Sequence, residues 1–311
     1  MELFNFFIDN SQTICYNIIS NYVIREYWRL KKILLENAYV AWQQAVEYRD
    51  YIKDGLSNLY YKKQFIGSLQ NAIELFLKQI MIDNNDKKVI IIKDKSHLKD
   101  YDESTSLNDY LYKLTSYKLI ELRTVNFSEM LRFIKNSDNG NSKHKYFSKI
   151  KKYHKKLEQI NHKRNDEKHF YIDDDNFLKD TQFVIFNNFM TDFYEVLLSY
   201  KLLPYFGKPN DKCKRVFLGN YQKLDNSFTY CKAIKSSNIT KYIVENINNK
   251  DFPVNPENAF SFAMHLYYDC GLKKYSFKLL YDCVCKLNYY GLIKYDIDME
   301  DATYLIKINI E

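Results

Sequence analysis

The sequence predicts a mainly α-helical fold, with a helical bundle followed by a smaller α+β domain. Three observations point there. Apolar residues recur at intervals of three and four over long stretches. Seven Gly and four Pro in 311 residues leave too few tight turns for a β-sandwich or barrel. Apolar residues make up 46% and charged residues 27%, which fills a core and is unlike a disordered chain. The length suits about two domains. Pro204, Gly207 and Pro209 mark the expected boundary, dividing 1–205 from 206–311.

A long helix is expected from Ile14 to about Lys53, on the spacing of Tyr16, Ile19, Val23, Tyr27, Leu30 and Leu34, with Gly55 as its break. In a second helix Phe65, Leu69, Ile73, Phe76, Leu77 and Ile80 form an apolar stripe, beside a polar file of Gln70, Glu74 and Lys78 four apart. Val89–Ile92 is β-branched and reads as one short strand. Ser106 with Asp109 resembles a capping box opening a helix to about Tyr117. Another helix covers Phe127–Ile134, and Asp138–Ser142 reads as a loop. A helix from Asn176 to Leu203 buries Phe183, Phe186, Phe189, Met190, Phe193, Val196 and Leu197.

The C-terminal hundred residues change pattern. Asn255 and Pro256 open a helix through Cys270, Gly271 turns the chain, and Ser276–Tyr290 forms a helix ended by Gly291. Leu292–Ile297 and Tyr304–Ile310 alternate in part, around a polar turn at Asp298–Asp301. Helix, turn, helix, hairpin is the order of a winged helix. Lys273, Lys274, Lys278 and Lys286 suit nucleic acid there, whereas Asp269, Asp282, Asp296, Asp298, Glu300 and Asp301 suit a protein or dimer contact.

Met1–Ile8 carries no basic leader, and Asn10–Ile24 is too short and too polar to span a bilayer. A soluble cytoplasmic protein without a membrane partner is expected. The six cysteines form no CxxC pair and have no His at zinc-ligand spacing, so they read as reduced thiols. The aromatic content of 17% accompanies a surplus of Asn, Lys and Ile and reflects biased composition rather than a stacking platform.

Net charge is +7, from 46 Lys and Arg against 39 Asp and Glu. The excess is concentrated: Lys143–His169 holds ten Lys or Arg, three acids and four His. Lys151, Lys152, Lys155, Lys156, Lys163 and Lys168 suit an RNA backbone through counterion release, and would otherwise make a solubilising helix face. His154 and His162 lack a carboxylate or Cys at supporting spacing, so neither a metal nor another cofactor is expected.

Within that region Arg164, Asn165, Asp166, Glu167, Lys168 and His169 set an Arg and a His four polar residues apart. The segment resembles the Arg-x4-His motif of the HEPN superfamily of helical ribonucleases and nucleotide-binding modules, in which a polar residue, often Asn, follows the Arg. The stretch Ala72 to Lys78 is similar to that family's first core helix, whose acidic residue faces the active site. The matching parts span Leu56–Leu203. The resemblance implies catalytic roles for Arg164 and His169, and supporting roles for Asn165 and Glu74. It implies a ribonuclease with a composite site in a homodimer. It also implies a toxin or antiviral abortive-infection effector, with an antitoxin or regulatory partner.

The chemistry of these side chains agrees with that implication. Histidine, with an ordinary pKa near 6.5, transfers protons near neutral pH. Arginine stays charged and clamps phosphate oxygens with a planar fork. One chain supplies one proton-transfer group, whereas cleavage by the 2′-hydroxyl needs a base and an acid. A two-fold axis through the motif supplies the second. Five residues on a helix turn through about 140°, so the pair suits a cleft between chains better than a groove within one. The rival expectation is a non-catalytic RNA- or partner-binding module that uses the bundle for dimerisation.

Overall fold

A computed structural model describes residues 32–90, 101–118, 123–137, 143–169, 174–203, 211–248, 259–298 and 303–308. The protein is mainly helical, as its composition and periodicity require. The helices are α1 (Leu35–Lys53), α2 (Leu59–Asp83), α3 (Leu107–Lys118), α4 (Phe127–Lys135), α5 (Ser148–Lys151) and α6 (His154–His169). They continue as α7 (Asp174–Phe177), α8 (Asp180–Ser199), α9 (Asp211–Leu218), α10 (Tyr230–Ser236), α11 (Asn238–Asn248), α12 (Ala259–Tyr268) and α13 (Phe277–Tyr289). Strands β1 (Ile293–Asp298) and β2 (Thr303–Ile308) close the order.

Two compact units emerge, each assembled from three stretches of chain. The first comprises 1–46, 66–168 and 188–221, and the second 47–65, 169–187 and 222–311. The chain passes from one to the other inside α1, α2, α6 and α8; in α6 only the last residue, His169, is assigned to the second unit. The expected boundary at 205/206 falls within a stretch assigned to the first unit.

The core of the first unit is built on Trp42, which is fully buried. Its indole lies 5.0 Å from the Phe217 ring, 6.1 Å from Phe76 and 6.2 Å from Phe193, and donates through Nε1–H to the Phe217 carbonyl at 2.9 Å. Each ring pair adds about 0.5–1.5 kcal/mol beyond the area it buries. Helix α4 starts where Asn126 accepts from the Glu129 N–H, and buries Phe127, Met130, Leu131 and Ile134 at helical spacing.

In the second unit Phe65, Phe183, Phe228 and Tyr230 form a ring cluster, and the Tyr230 hydroxyl donates to the Leu178 carbonyl at 2.9 Å. Gly55 ends α1 with φ of +93°, where a Cβ would stand 2.4 Å from the Ile234 Cα. Only glycine fits there. Ser276 caps α13 by accepting from the Leu279 N–H, and β1 pairs antiparallel with β2, Ile293 opposite Ile308 and Asp298 opposite Thr303.

Several boundaries differ from the sequence expectation. The first helix begins at Leu35 among the described residues; the part expected from Ile14 lies outside them. Val89 ends a short 3₁₀ turn opened by Asp86, and Ile90 bridges to Thr124, while 91–92 lie outside the described residues. The expected helix Asn176–Leu203 is two helices, interrupted at Leu178 and Lys179, where the Gln182 side chain accepts the Lys179 N–H. Helices α9, α10 and α11 had no expectation. Asp138–Ser142, the Pro204–Pro209 stretch, Asn255, Pro256 and most of the Asp298–Asp301 turn lie outside the described residues.

Candidate active site

Helix α6 carries the motif. Leu157 and Ile160 are fully buried, and Asn161 nearly so. The amide of Asn161 accepts from Gln70 Nε2 at 3.3 Å and donates to Ser128 Oγ at 3.2 Å. One turn on, Arg164 is half-buried, and its Nε lies 3.7 Å from where a Cβ on Gly67 would stand. Gly67 therefore meets Arg164 while Gln70 meets Asn161, so α2 and α6 run antiparallel here. Gly67, Gln70, Glu74 and Lys78 form one stripe of α2, at spacings of three, four and four.

That geometry also locates Glu74, seven residues beyond Gly67 and hence about 10 Å further along α2. Its carboxylate receives the buried Lys78 ammonium at 2.6 Å. Glu74 is thus joined to Lys78, two helical turns from the position where Gly67 meets Arg164. Asn165 is exposed. His169 is the last residue of α6; the side chains of Lys168 and His169 lie outside the described residues.

The lysines differ in engagement. Lys155 and Lys152 are exposed, with the Lys152 ammonium 4.9 Å from the Tyr153 ring centre. Lys156 lies 3.7 Å from Asp192, and Lys163 lies 3.9 Å from Asp166. Lys151 is half-buried. The Lys156 and Lys163 pairs are half-buried and still in contact with solvent, where such pairs contribute about 0–1 kcal/mol. His154 has a carboxylate that the sequence reading passed over: Glu158 is one turn away at 3.4 Å. Among the described residues, no group of three His, Cys, Asp or Glu is placed to hold a metal ion, and no helix is long and apolar enough to cross a membrane.

A second polar cluster in the first unit was not anticipated. His144 Nδ1 lies 3.0 Å from Asp86 Oδ2 and 2.9 Å from the Tyr146 hydroxyl, which itself donates to Asp86. Lys88 Nζ approaches His144 Nε2 at 3.4 Å, and Phe133 stacks on the imidazole at 4.2 Å. Burial holds His144 below its ordinary pKa although the Asp86 carboxylate opposes this, and Lys88 and Lys143 add to the lowering. Burial and the hydrogen bond to Asp86 push the Tyr146 phenol well up. Asp86 and His144 are 58 positions apart, and no local pattern joins them. Burial also pushes the Cys283 thiol up to about 12, so it is no nucleophile at neutral pH.

Comparison with known proteins finds no matching family model, curated protein or solved structure.

Proposed function

We propose that the chain is an endoribonuclease that cleaves RNA without a metal ion, at a site shared by two copies. The observation that carries the reading is the setting of Arg164: a half-buried guanidinium seated on Gly67, in the last turns of a helix that ends at His169 and begins among lysines. A cation with a fixed stem and a titratable base on one element are what phosphoryl chemistry requires.

In the proposed reaction one His169 takes the proton of a 2′-hydroxyl, and that oxygen attacks the adjacent phosphorus. The bond from phosphorus to the 5′-oxygen breaks, and the partner's His169 protonates the leaving oxygen. The products are a 2′,3′-cyclic phosphate and a free 5′-hydroxyl. Arg164 binds the non-bridging oxygens, where negative charge grows. Asn165, exposed beside Arg164, would contact the same strand. Glu74 is proposed to act indirectly, by holding Lys78 within the stripe that ends under Arg164.

Lys151, Lys152, Lys155, Lys156, Lys163 and Lys168 would guide the RNA backbone, with phosphates displacing Asp192 and Asp166 from their lysines. We further propose a winged-helix-like C-terminal part, a cytoplasmic setting, and a toxin or abortive-infection role restrained by an antitoxin or regulatory partner. One observation favours a non-catalytic RNA- or partner-binding module instead: Glu74 is held by Lys78, two helical turns from where Gly67 meets Arg164.

Incubating the protein with total RNA in excess EDTA separates the two. Fragments ending in 2′,3′-cyclic phosphate from the wild type, and intact RNA with a well-folded His169→Ala chain, are expected. Retarded but uncut RNA from the wild type would establish the binding module.

A further inference from the structure

In the second unit, rings and lysines are arranged in a way that the proposed cleavage site does not use. Phe260 and Tyr268, at the two ends of α12, are 52% and 56% exposed. A continuous ribbon of rings joins them. Tyr281 lies 6.0 Å from Phe260, Phe260 lies 5.2 Å from Phe277, Phe277 lies 6.2 Å from Tyr267, and Tyr267 lies 5.0 Å from Tyr268. Tyr267, Phe277 and Tyr281 are half-buried, so the ribbon is a contiguous aromatic edge with two exposed ends, and such an edge signals an occupant.

Charge indicates which one. Among the described residues, the exposed tyrosines of this unit are Tyr60, Tyr242, Tyr268 and Tyr289. Each has a lysine ammonium near its ring: Lys278 at 4.4 Å, Lys274 at 3.3 Å, Lys273 at 5.8 Å and Lys286 at 5.1 Å; Lys286 is itself buried, so Lys273, Lys274 and Lys278 are the charges open to a ligand. The neighbouring acids already have partners, Asp269 with His265 at 2.7 Å and Asp282 with the Tyr61 hydroxyl at 3.2 Å. A ring with a cation beside it matches a nucleotide, whose base stacks while its phosphate takes the charge. A duplex hides its base faces. A purely apolar partner would leave the lysines unused.

We infer that the aromatic and lysine face of α12 and α13 binds single-stranded RNA. That the strand is RNA rests on the ribonuclease reading above; that it is a single-stranded polyanion rests on the rings and lysines alone.

The test measures fluorescence anisotropy of a labelled 12-nucleotide oligouridylate, using full-length His169→Ala protein so that the probe survives. Phe260→Ser with Tyr268→Ser should weaken binding at least tenfold with unchanged helical circular dichroism, since each stacked base contributes about 1–3 kcal/mol. Both positions are exposed, so the fold should tolerate the change. Lys273, Lys274 and Lys278 changed together to Gln should lower the salt slope by about two, at roughly 0.7 per phosphate contact.

Unaltered affinity and slope in these variants would overturn the inference. So would equal binding of duplex RNA, stronger binding of oligothymidylate, or an effect of the ring variants on self-association alone. Cleavage by the otherwise wild-type chain is scored separately. Ring-dependent binding without cleavage would sink the ribonuclease reading and leave the platform standing, whereas cleavage with ring-independent binding would do the reverse.

Discussion

Arg164 depends on the absence of a side chain. Its Nε would meet a Cβ on Gly67 at 3.7 Å, an ordinary van der Waals distance, whereas anything longer would occupy the guanidinium's place. Gly67→Ala should therefore leave cleavage nearly unchanged. Gly67→Leu should lower kcat/KM toward the level of Arg164→Ala, a loss of about 10²–10³ if the guanidinium stabilises the transition state. Single-turnover kinetics with circular dichroism as a fold control reads this, and equal activity in all three would remove Arg164 from the chemistry.

His144 offers an independent test at the same scale. Its folded pKa is lowered from the ordinary 6.5, so the unfolded chain binds its proton first as the pH falls. The stability associated with neutral His144 is complete above about pH 6.5 and is lost as the pH falls through the folded value. His144→Gln should cost about 1–3 kcal/mol at pH 7.5, by leaving Asp86 and Lys88 without the imidazole. The gap from wild type should narrow toward pH 5. Melting temperatures across that range decide it; a constant gap would mean that His144 does not titrate in this window.

Among the elements, α6 combines a buried stripe with a lysine face. Replacing Lys151, Lys152, Lys155 and Lys156 together by Gln should lower the salt slope of RNA binding by about two to three, at roughly 0.7 per contact on a single strand. A slope that does not move would make the face merely solvating. The helices of the bundle were legible in the sequence wherever an apolar stripe of period 3.6 coincided with a clear end, as in Phe127–Ile134 after Asn126 or the helix after Ser276. Failures came where tertiary partners override local preference. The β-branched Val89–Ile92 suggests a strand, but Asp86 folds 87–89 into a 3₁₀ turn; beyond it Ile90 bridges to Thr124, the Val89 carbonyl accepts from the Val125 N–H, and 91–92 lie outside the described residues. The candidate site was legible only as a list of residues. Arg164 and Gly67, or Asn161 and Gln70, are about ninety positions apart, and nothing local reveals that they meet.

For the whole molecule, the proposed site shared by two copies would make activity depend on assembly. Arg164→Ala and His169→Ala chains, each inactive alone, should recover partial cleavage when mixed, provided that differently tagged chains co-purify. Demonstrated exchange without activity, or full wild-type activity from a strict monomer, would rule out the shared site. The division of helices between the two units has a consequence for biosynthesis. Stretch 47–65 leaves the ribosome well before 222–311, with which it shares a unit. At ~5–20 residues per second, the nascent chain waits roughly 10–50 s for that partner. During the wait the backbone at Gly55 lacks Ile234 against it, and the Tyr61 hydroxyl lacks Asp282. Synthesis of 222–311 is thus what closes the interval in which this polypeptide most needs a chaperone.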